Sequence, residues 1–427
     1  MYFLRAAVCA AAAFTTLTFA APAQSTGQYA GTKILRVPTG SQEQTDKLAN
    51  LINTLGVPTW TSARVPHSHV DVQVSKDRVD SFHKALKEVN PDLDSQVITM
   101  HDDLAVSIAK EAEGMNSPYR DAFAGLANEA WFNSYHTYAD HLQFLKDLAT
   151  TFPNNAKVVT SGTSYEGRTI TGINIYGSSG SGTKPAVIFH GTVHAREWIG
   201  TLVTEQIAYS LLSNYTTSST IKSYVDKYDF YIFPIALLTP NRTIVSGART
   251  VSLLHPARPA TDVTSTETGH GNGVPAVHPP ARVSAGDSPE FKALSAFLNA
   301  RANSAAGAKL YIDFHAYGLY FMGPYGYSCT ANAADKTEHT KMEQGFAAAF
   351  KAPYGKTLKT GPICQTIYQA SGSSVDYAYG YSKIKYSFTP ELRGASSGNG
   401  FVLPPAEIKP SGIEAYEGVK YLLANMV

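Results

Sequence analysis

Three chiefly apolar runs, residues 186–189, 310–314 and 386–389, each lead into residues able to bind a metal or move a proton. His194 and Glu197 follow the first, His315 the second and Glu391 the third. Runs of this length between helical patterns read as buried strands of a parallel or mixed sheet. Open α/β sheets form their ligand crevices beyond the carboxyl ends of such strands. The chain is thereby constrained to an α/β fold in which these four residues, nearly 200 positions apart at the extremes, meet at one edge of the sheet.

The pattern around these runs supports that class. From residue 127 onward, helical periodicity at 138–151, 201–212, 290–300, 341–350 and 412–425 alternates with strands at 157–161, 172–176, 186–189, 230–234, 309–314 and 384–389. Such alternation predicts a mixed sheet with helices on both faces. Residues 24 to about 100 form a separate, smaller unit. Strands are expected at 33–37, 69–74 and 96–101, with Val70, Val72 and Val74 on one face, and helices at 42–55 and 77–89. Their order is taken as β-α-β-β-α-β, the ferredoxin-like α/β sandwich. A polar helix at 102–113 and an exposed linker at 114–120 follow, with Lys110 and Arg120 as candidate cleavage points.

Charge excludes several functions. Of the 427 residues, 35 are Lys or Arg and 34 Asp or Glu, a net charge of +1 that offers no basic field for nucleic acid or anionic membrane. Arg5, an apolar stretch at 6–20 and the small residues Ala20-Ala21-Pro22-Ala23 read as a signal peptide over residues 1–23. No later stretch is long and apolar enough for a second membrane segment. The expected product is secreted and extracellular. Cys9 leaves with the signal peptide, and the remaining pair, Cys329 and Cys364, is expected to form a disulfide in an oxidising compartment. Closing that 35-position loop is worth about 3–4 kcal/mol in the chain-entropy model. Sequons at Asn214 and Asn241 permit N-glycosylation.

A His-x-x-Glu pair with a distant His supplies three protein ligands of the kind that hold catalytic zinc, leaving a fourth position for water. His190 competes with His194 for the first place. It is assigned to the core or to a supporting place behind the ligands, because Glu197 stands at the turn-like spacing from His194.

His194-Ala195-Arg196-Glu197-Trp198 resembles the signature of the zinc carboxypeptidases of the pancreatic A/B type. Ser164-Tyr165-Glu166-Gly167-Arg168, His315-Ala316-Tyr317, Gly323-Pro324-Tyr325-Gly326, Ile367-Tyr368-Gln369-Ala370-Ser371-Gly372, Phe388-Thr389-Pro390-Glu391-Leu392-Arg393 and Gly400-Phe401-Val402-Leu403-Pro404 are similar to further blocks, in the same order. The resemblance spans about 127–427 and is nearest to secreted fungal members. It implies one zinc ion per chain on His194, Glu197 and His315, Glu391 as general base, and Tyr368 closing over the substrate. Arg196, Tyr317 and Phe401 would line subsites, and Val375 would end a specificity pocket for apolar or aromatic C-terminal side chains. The implied partners are peptide and protein C-termini, the chain's own pro-domain as inhibitor, and an activating protease. The implied domains are a pro-domain with its connecting segment over 24–120 and a catalytic domain over 121–427.

One span departs from that likeness. Residues 236–287 contain no Phe, Tyr or Trp, and the oxyanion Arg, the carboxylate-binding Asn-Arg pair and a disulfide that the family places there are not recognisable. The abrupt loss and recovery of pattern favours an error in the gene model over a divergent surface loop. Asp262 stands where a carboxylate orienting the first zinc histidine would be sought. A zinc-binding but catalytically silent relative is accordingly the alternative to an enzyme.

Overall fold

The structure, a computed structural model, describes residues 26–62, 65–113, 115, 128–236, 288–394 and 398–427. The signal-peptide stretch, Arg120, Asn241 and Asp262 lie outside these residues, as does nearly all of the 236–287 span. Among the described residues no helix is long and apolar enough to cross a membrane.

Eleven strands build two sheets among the described residues. In the N-terminal unit, β1 (Lys33–Pro38) pairs antiparallel with β2 (His69–Val74) and β3 (Ile98–His101), in the order β2-β1-β3. The fourth strand of the expected sandwich is reduced to one bridge between Thr59 and Val72. Trp60 N donates to Asp71 O at 2.7 Å and Gln73 N to Pro58 O at 2.8 Å, and the ladder stops there because Pro58 has no N–H to donate. Helices Gln42–Leu55 and Val79–Val89 cover one face, the first capped by a reciprocal Ser41–Gln44 box. Leu35, Val37, Val70, Val72 and Val74 pack there against Leu48, Ile52, Phe82 and Leu86.

The second sheet contains β4 (Ala156–Thr163), β5 (Thr169–Ile175), β6 (Ala186–Gly191), β7 (Asp229–Phe233), β8 (Ala308–Phe314), β9 (Tyr320–Gly323), β10 (Lys359–Pro362) and β11 (Tyr386–Glu391). Their order is β10-β9-β11-β8-β6-β7-β5-β4, with β11, β8, β6 and β7 parallel at the centre, antiparallel pairs β9–β11, β7–β5 and β5–β4 flanking them, and β10 parallel to β9 at one edge. Side chains alternate between two cores, as the pleat requires. Val187, Phe189, Phe230, Ile232, Leu310 and Ile312 face one core, with helices Trp198–Ser213, Lys336–Tyr354 and Ile408–Asn425. Ala186, Ile188, Tyr231, Phe233 and Tyr311 face the other, with helix Pro289–Ala302 and helix Ser374–Gly380. The sequence reading missed β9, β10 and helix Ser219–Lys227.

Candidate metal centre and active site

Because β6, β8 and β11 are parallel neighbours, their carboxyl ends lie side by side. β6 ends at Gly191, where a Cβ would stand 2.7 Å from Gly200 O and 2.8 Å from Pro234 O. The missing side chain lets the start of helix Trp198–Ser213 approach the strand end, and the intervening turn, closed by Glu197 N donating to His194 O at 3.1 Å, carries both His194 and Glu197. Glu197 is 3% exposed and sits just before a helix N-terminus, where a carboxylate is favoured.

His315 follows β8 and is locked to β11 on both sides. Its N–H donates to Pro390 O at 3.0 Å, and Leu392 N donates to its carbonyl at 2.9 Å, so His315 and Glu391 are bridge partners. Three side chains then converge: Glu197 Oε1 lies 2.7 Å from His194 Nδ1, Glu197 Oε2 lies 2.9 Å from His315 Nδ1, and the two Nδ1 atoms are 3.1 Å apart. One donor atom from each of the three residues falls within 4.8 Å of the others. Burial raises the Glu197 pKa, but the two imidazoles outweigh it and hold the group well below the usual carboxylate range. Burial likewise lowers His315, yet Asp313 and Glu197 on its two sides raise it well above the ordinary value. Two nitrogens and a carboxylate facing one point make a site for positive charge, and this N/O donor set fits zinc.

Burial, and next the Glu197 carboxylate, push Glu391 up to about 8. A carboxyl group so placed can hold a proton and release it near neutrality.

Arg196, Tyr317 and Phe401 cluster beside this centre. The Arg196 guanidinium lies 3.9 Å from the Phe401 ring centre, and the Tyr317 ring packs edge-on at 4.7 Å. The N-terminal unit covers Tyr317 and Phe401. Trp60 lies 5.3 Å from Phe401. Tyr317 Oη donates to Asp71 Oδ2 at 2.5 Å, and Asp71 also accepts two bonds of 2.7 Å from Arg36. Asn399 O lies 2.8 Å from His101 Nε2. Gly400 makes the fit possible: its φ is +58°, and a Cβ there would stand 2.6 Å from the Trp60 ring. At the end of helix Leu104–Glu111, the buried Glu111 accepts from Leu403 N at 3.1 Å.

Tyr368 stands 43% exposed on the segment after helix Ile363–Thr366. Cys329 and Cys364 are joined as a disulfide. Together with bonds of 2.8 Å from Gln365 to Cys329 O and from Gln369 to Tyr327 O, it ties the Tyr368 segment to the 324–330 loop. Val375 is 1% exposed in an apolar cluster with Met322, Ile363, Tyr377 and Ile384. Its acidic neighbour Asp376 is committed elsewhere, accepting from the N–H groups of Gly326 and Tyr327 at 2.9–3.0 Å. His190 is buried in the core with Nδ1 3.1 Å from Tyr311 Oη. Asn214 turns its amide onto Ser210 O at 2.8 Å. Sequence reasoning did not single out Asp71 or Asp313, although an acid two positions before a histidine in an apolar strand was a readable sign of the latter.

The zinc carboxypeptidase model matches residues 141–236 and 265–418, and the carboxypeptidase activation peptide model matches residues 35–111. This chain belongs to the zinc carboxypeptidase family. A metallocarboxypeptidase A-like protein of Trichophyton verrucosum is 38% identical, with 95% of this chain and 96% of that protein covered. Metallocarboxypeptidase A of Trichophyton rubrum is 37% identical, with 93% and 94% covered. Among solved structures, thrombin activatable fibrinolysis inhibitor superposes with a TM-score of 0.75 at 19% identity, covering 92% of this chain and 98% of that one. Carboxypeptidase A of Helicoverpa armigera gives 0.72 at 22%, covering 92% and 97%. These two carry the fold alone. The metallocarboxypeptidase is a peptide hydrolase with an N-terminal activation peptide, and the silent alternative is not favoured. The unmatched gap at 237–264 falls within the aberrant span.

Proposed function

We propose that this metallocarboxypeptidase is a secreted, zinc-dependent exopeptidase, made as a zymogen, that removes apolar or aromatic residues from the C-termini of peptides and proteins. The observation that carries the reading is the convergence of His194, Glu197 and His315 at the strand ends with Glu391 backbone-paired to His315. In this reading residues 1–23 are the signal peptide, 24–120 the pro-domain with its connecting segment, and 121–427 the catalytic domain.

One zinc ion on His194, Glu197 and His315 would polarise the scissile carbonyl and acidify a water molecule. Glu391 takes the proton from the attacking water and returns it to the leaving amine. Neutralising Glu197 with a bound cation removes one cause of the raised Glu391 pKa and favours its basic form. Tyr368, exposed on its tethered segment, is free to close on substrate, while Arg196, Tyr317 and Phe401 line the approach. The apolar surroundings of Val375 suit an apolar side chain, and Asp376, spent on backbone N–H groups, offers no charge for Lys or Arg.

The pro-domain blocks that approach, since Trp60 and Asp71 occupy Phe401 and Tyr317. Cutting by an activating protease between Lys110 and Arg120 frees the cleft. Metal analysis of the purified protein tests the centre: about one zinc per chain is expected, and retention no greater than in His315→Ala refutes it. Glu391→Gln should keep its zinc and lose about 10²–10⁴ in turnover on a peptide ending in Phe; a wild-type rate excludes the role.

A further inference from the structure

The two ring nitrogens of His315 face different neighbours. Nδ1 points at Glu197 and His194, whereas Nε2 lies 3.2 Å from Asp313 Oδ2. Asp313 is two residues earlier on the same chain, so the pleat of β8 puts both side chains on one face of the sheet. It is 1% exposed. Ser374 Oγ also donates to Oδ2, and Thr389 Oγ1 of β11 donates to the Asp313 carbonyl at 2.8 Å. The carboxylate is thus fixed by a helix start, and the backbone that carries it by a neighbouring strand. Its Oδ1 is buried and has no hydrogen-bond partner among the described residues. Oδ2, the atom facing His315, is the one that is anchored.

A neutral imidazole carries one N–H. A carboxylate beside Nε2 places the proton there, leaves the Nδ1 lone pair free for a cation, and makes that lone pair more basic. We infer that Asp313 is a positioning residue that sets the tautomer and ring orientation of His315 for metal binding. The inference rests on the reading of His194, Glu197 and His315 as zinc ligands. A competing role would use the free Oδ1 to recognise a basic C-terminal side chain of the substrate.

Zinc affinity of the full-length proenzyme, measured by competition with a chromophoric chelator, separates these roles without recourse to turnover. Asp313→Asn should bind zinc about 10- to 100-fold more weakly than wild type. The visible spectrum of its cobalt(II)-substituted form should shift, and its far-ultraviolet circular dichroism should stay unchanged. Ser374→Ala, which keeps the carboxylate but removes its anchor, should lose about two- to ten-fold. Wild-type zinc affinity in Asp313→Asn overturns the inference. So does unchanged affinity accompanied by a loss of hydrolysis of Lys- or Arg-ended peptides, which assigns Asp313 to substrate recognition. If Asp313→Asn does not fold, Ser374→Ala decides: its expected loss supports the inference, and wild-type affinity overturns it. Failure of the underlying reading looks different, because wild type itself would then bind no more zinc than His315→Ala.

Discussion

All six residues of β6 are buried, and its apolar side chains fill the cores on both faces of the large sheet. β2 of the activation peptide is nearly as buried, with five of six residues covered, but its two faces differ in kind. Val70, Val72 and Val74 belong to a core of ten residues that the activation peptide builds for itself. Asp71 and Gln73 face the other way: Asp71 accepts from Tyr317 of the enzyme, and Gln73 accepts from Trp60, whose ring packs on Phe401 of the enzyme. Ile34 and Trp60 likewise join the enzyme's core cluster, while Leu35 and Val37 join the private one. A strand buried on both faces by its own domain is apolar throughout, whereas one that must part from its partner keeps a polar face that water can receive. The activation peptide is therefore built for separation.

Four substitutions test that difference. Arg36→Met leaves the Asp71 carboxylate buried without its bidentate partner, an imbalance costing about 3–5 kcal/mol. The uncut protein should show raised activity on a small substrate, and wild-type latency would show that this pair does not hold the docking face. Leu48→Ala, fully buried in the private core, should cost about 3 kcal/mol. Limited proteolysis should then find residues 26–113 cleaved faster while the fragment beyond 128 survives; equal protection would mean that the two cores melt as one.

The third substitution tests the enzyme side. Glu343, 3% exposed on helix Lys336–Tyr354, has its pKa pushed up to about 7 by burial. The unfolded chain loses this proton near pH 4.5, so the stability held by the protonated form is complete below that pH and is lost as pH rises towards 7. Glu343→Gln should match wild type at pH 4 and exceed it by about 3 kcal/mol above pH 7 in chemical denaturation, a difference that vanishes if the side chain ionises freely. Smallest of the four is Tyr317→Phe, which deletes one bond to Asp71 and should weaken the closed form by about 1.5–3 kcal/mol. Latency should fall modestly, with zinc content unchanged.

The contrast also explains what could be read in advance. The central strands β6, β7 and β8 were visible because long apolar stretches announce strands buried on both faces. β9 and β10 were not, being four residues each and ending in Gly323 and Pro362, residues that usually mark turns. In β2 the alternation showed one apolar face and gave no sign that Asp71 and Gln73 would be buried, since burial against a second domain leaves no mark on a single strand's periodicity. The grouping of His194, Glu197, His315 and Glu391 was anticipated from residue type and placement after strands. Asp313 was not, because it lies inside an apolar run and gains meaning only from the ring nitrogen opposite it.

The activation peptide, through the helix Leu104–Glu111 at its end, belongs to the same chain as the enzyme, and that continuity sets how weak their contact can be. Two groups carried on one chain meet at an effective concentration on the order of 1 mM. A contact whose intrinsic Kd is only about 10 µM, close to 7 kcal/mol, would then be closed about 99% of the time. Once the chain is cut, the relevant concentration is that of the protein itself. At about 100 nM the same contact is about 99% open. Breaking one peptide bond thus turns an intramolecular lock into a dilution problem, with no change in any of the groups that touch.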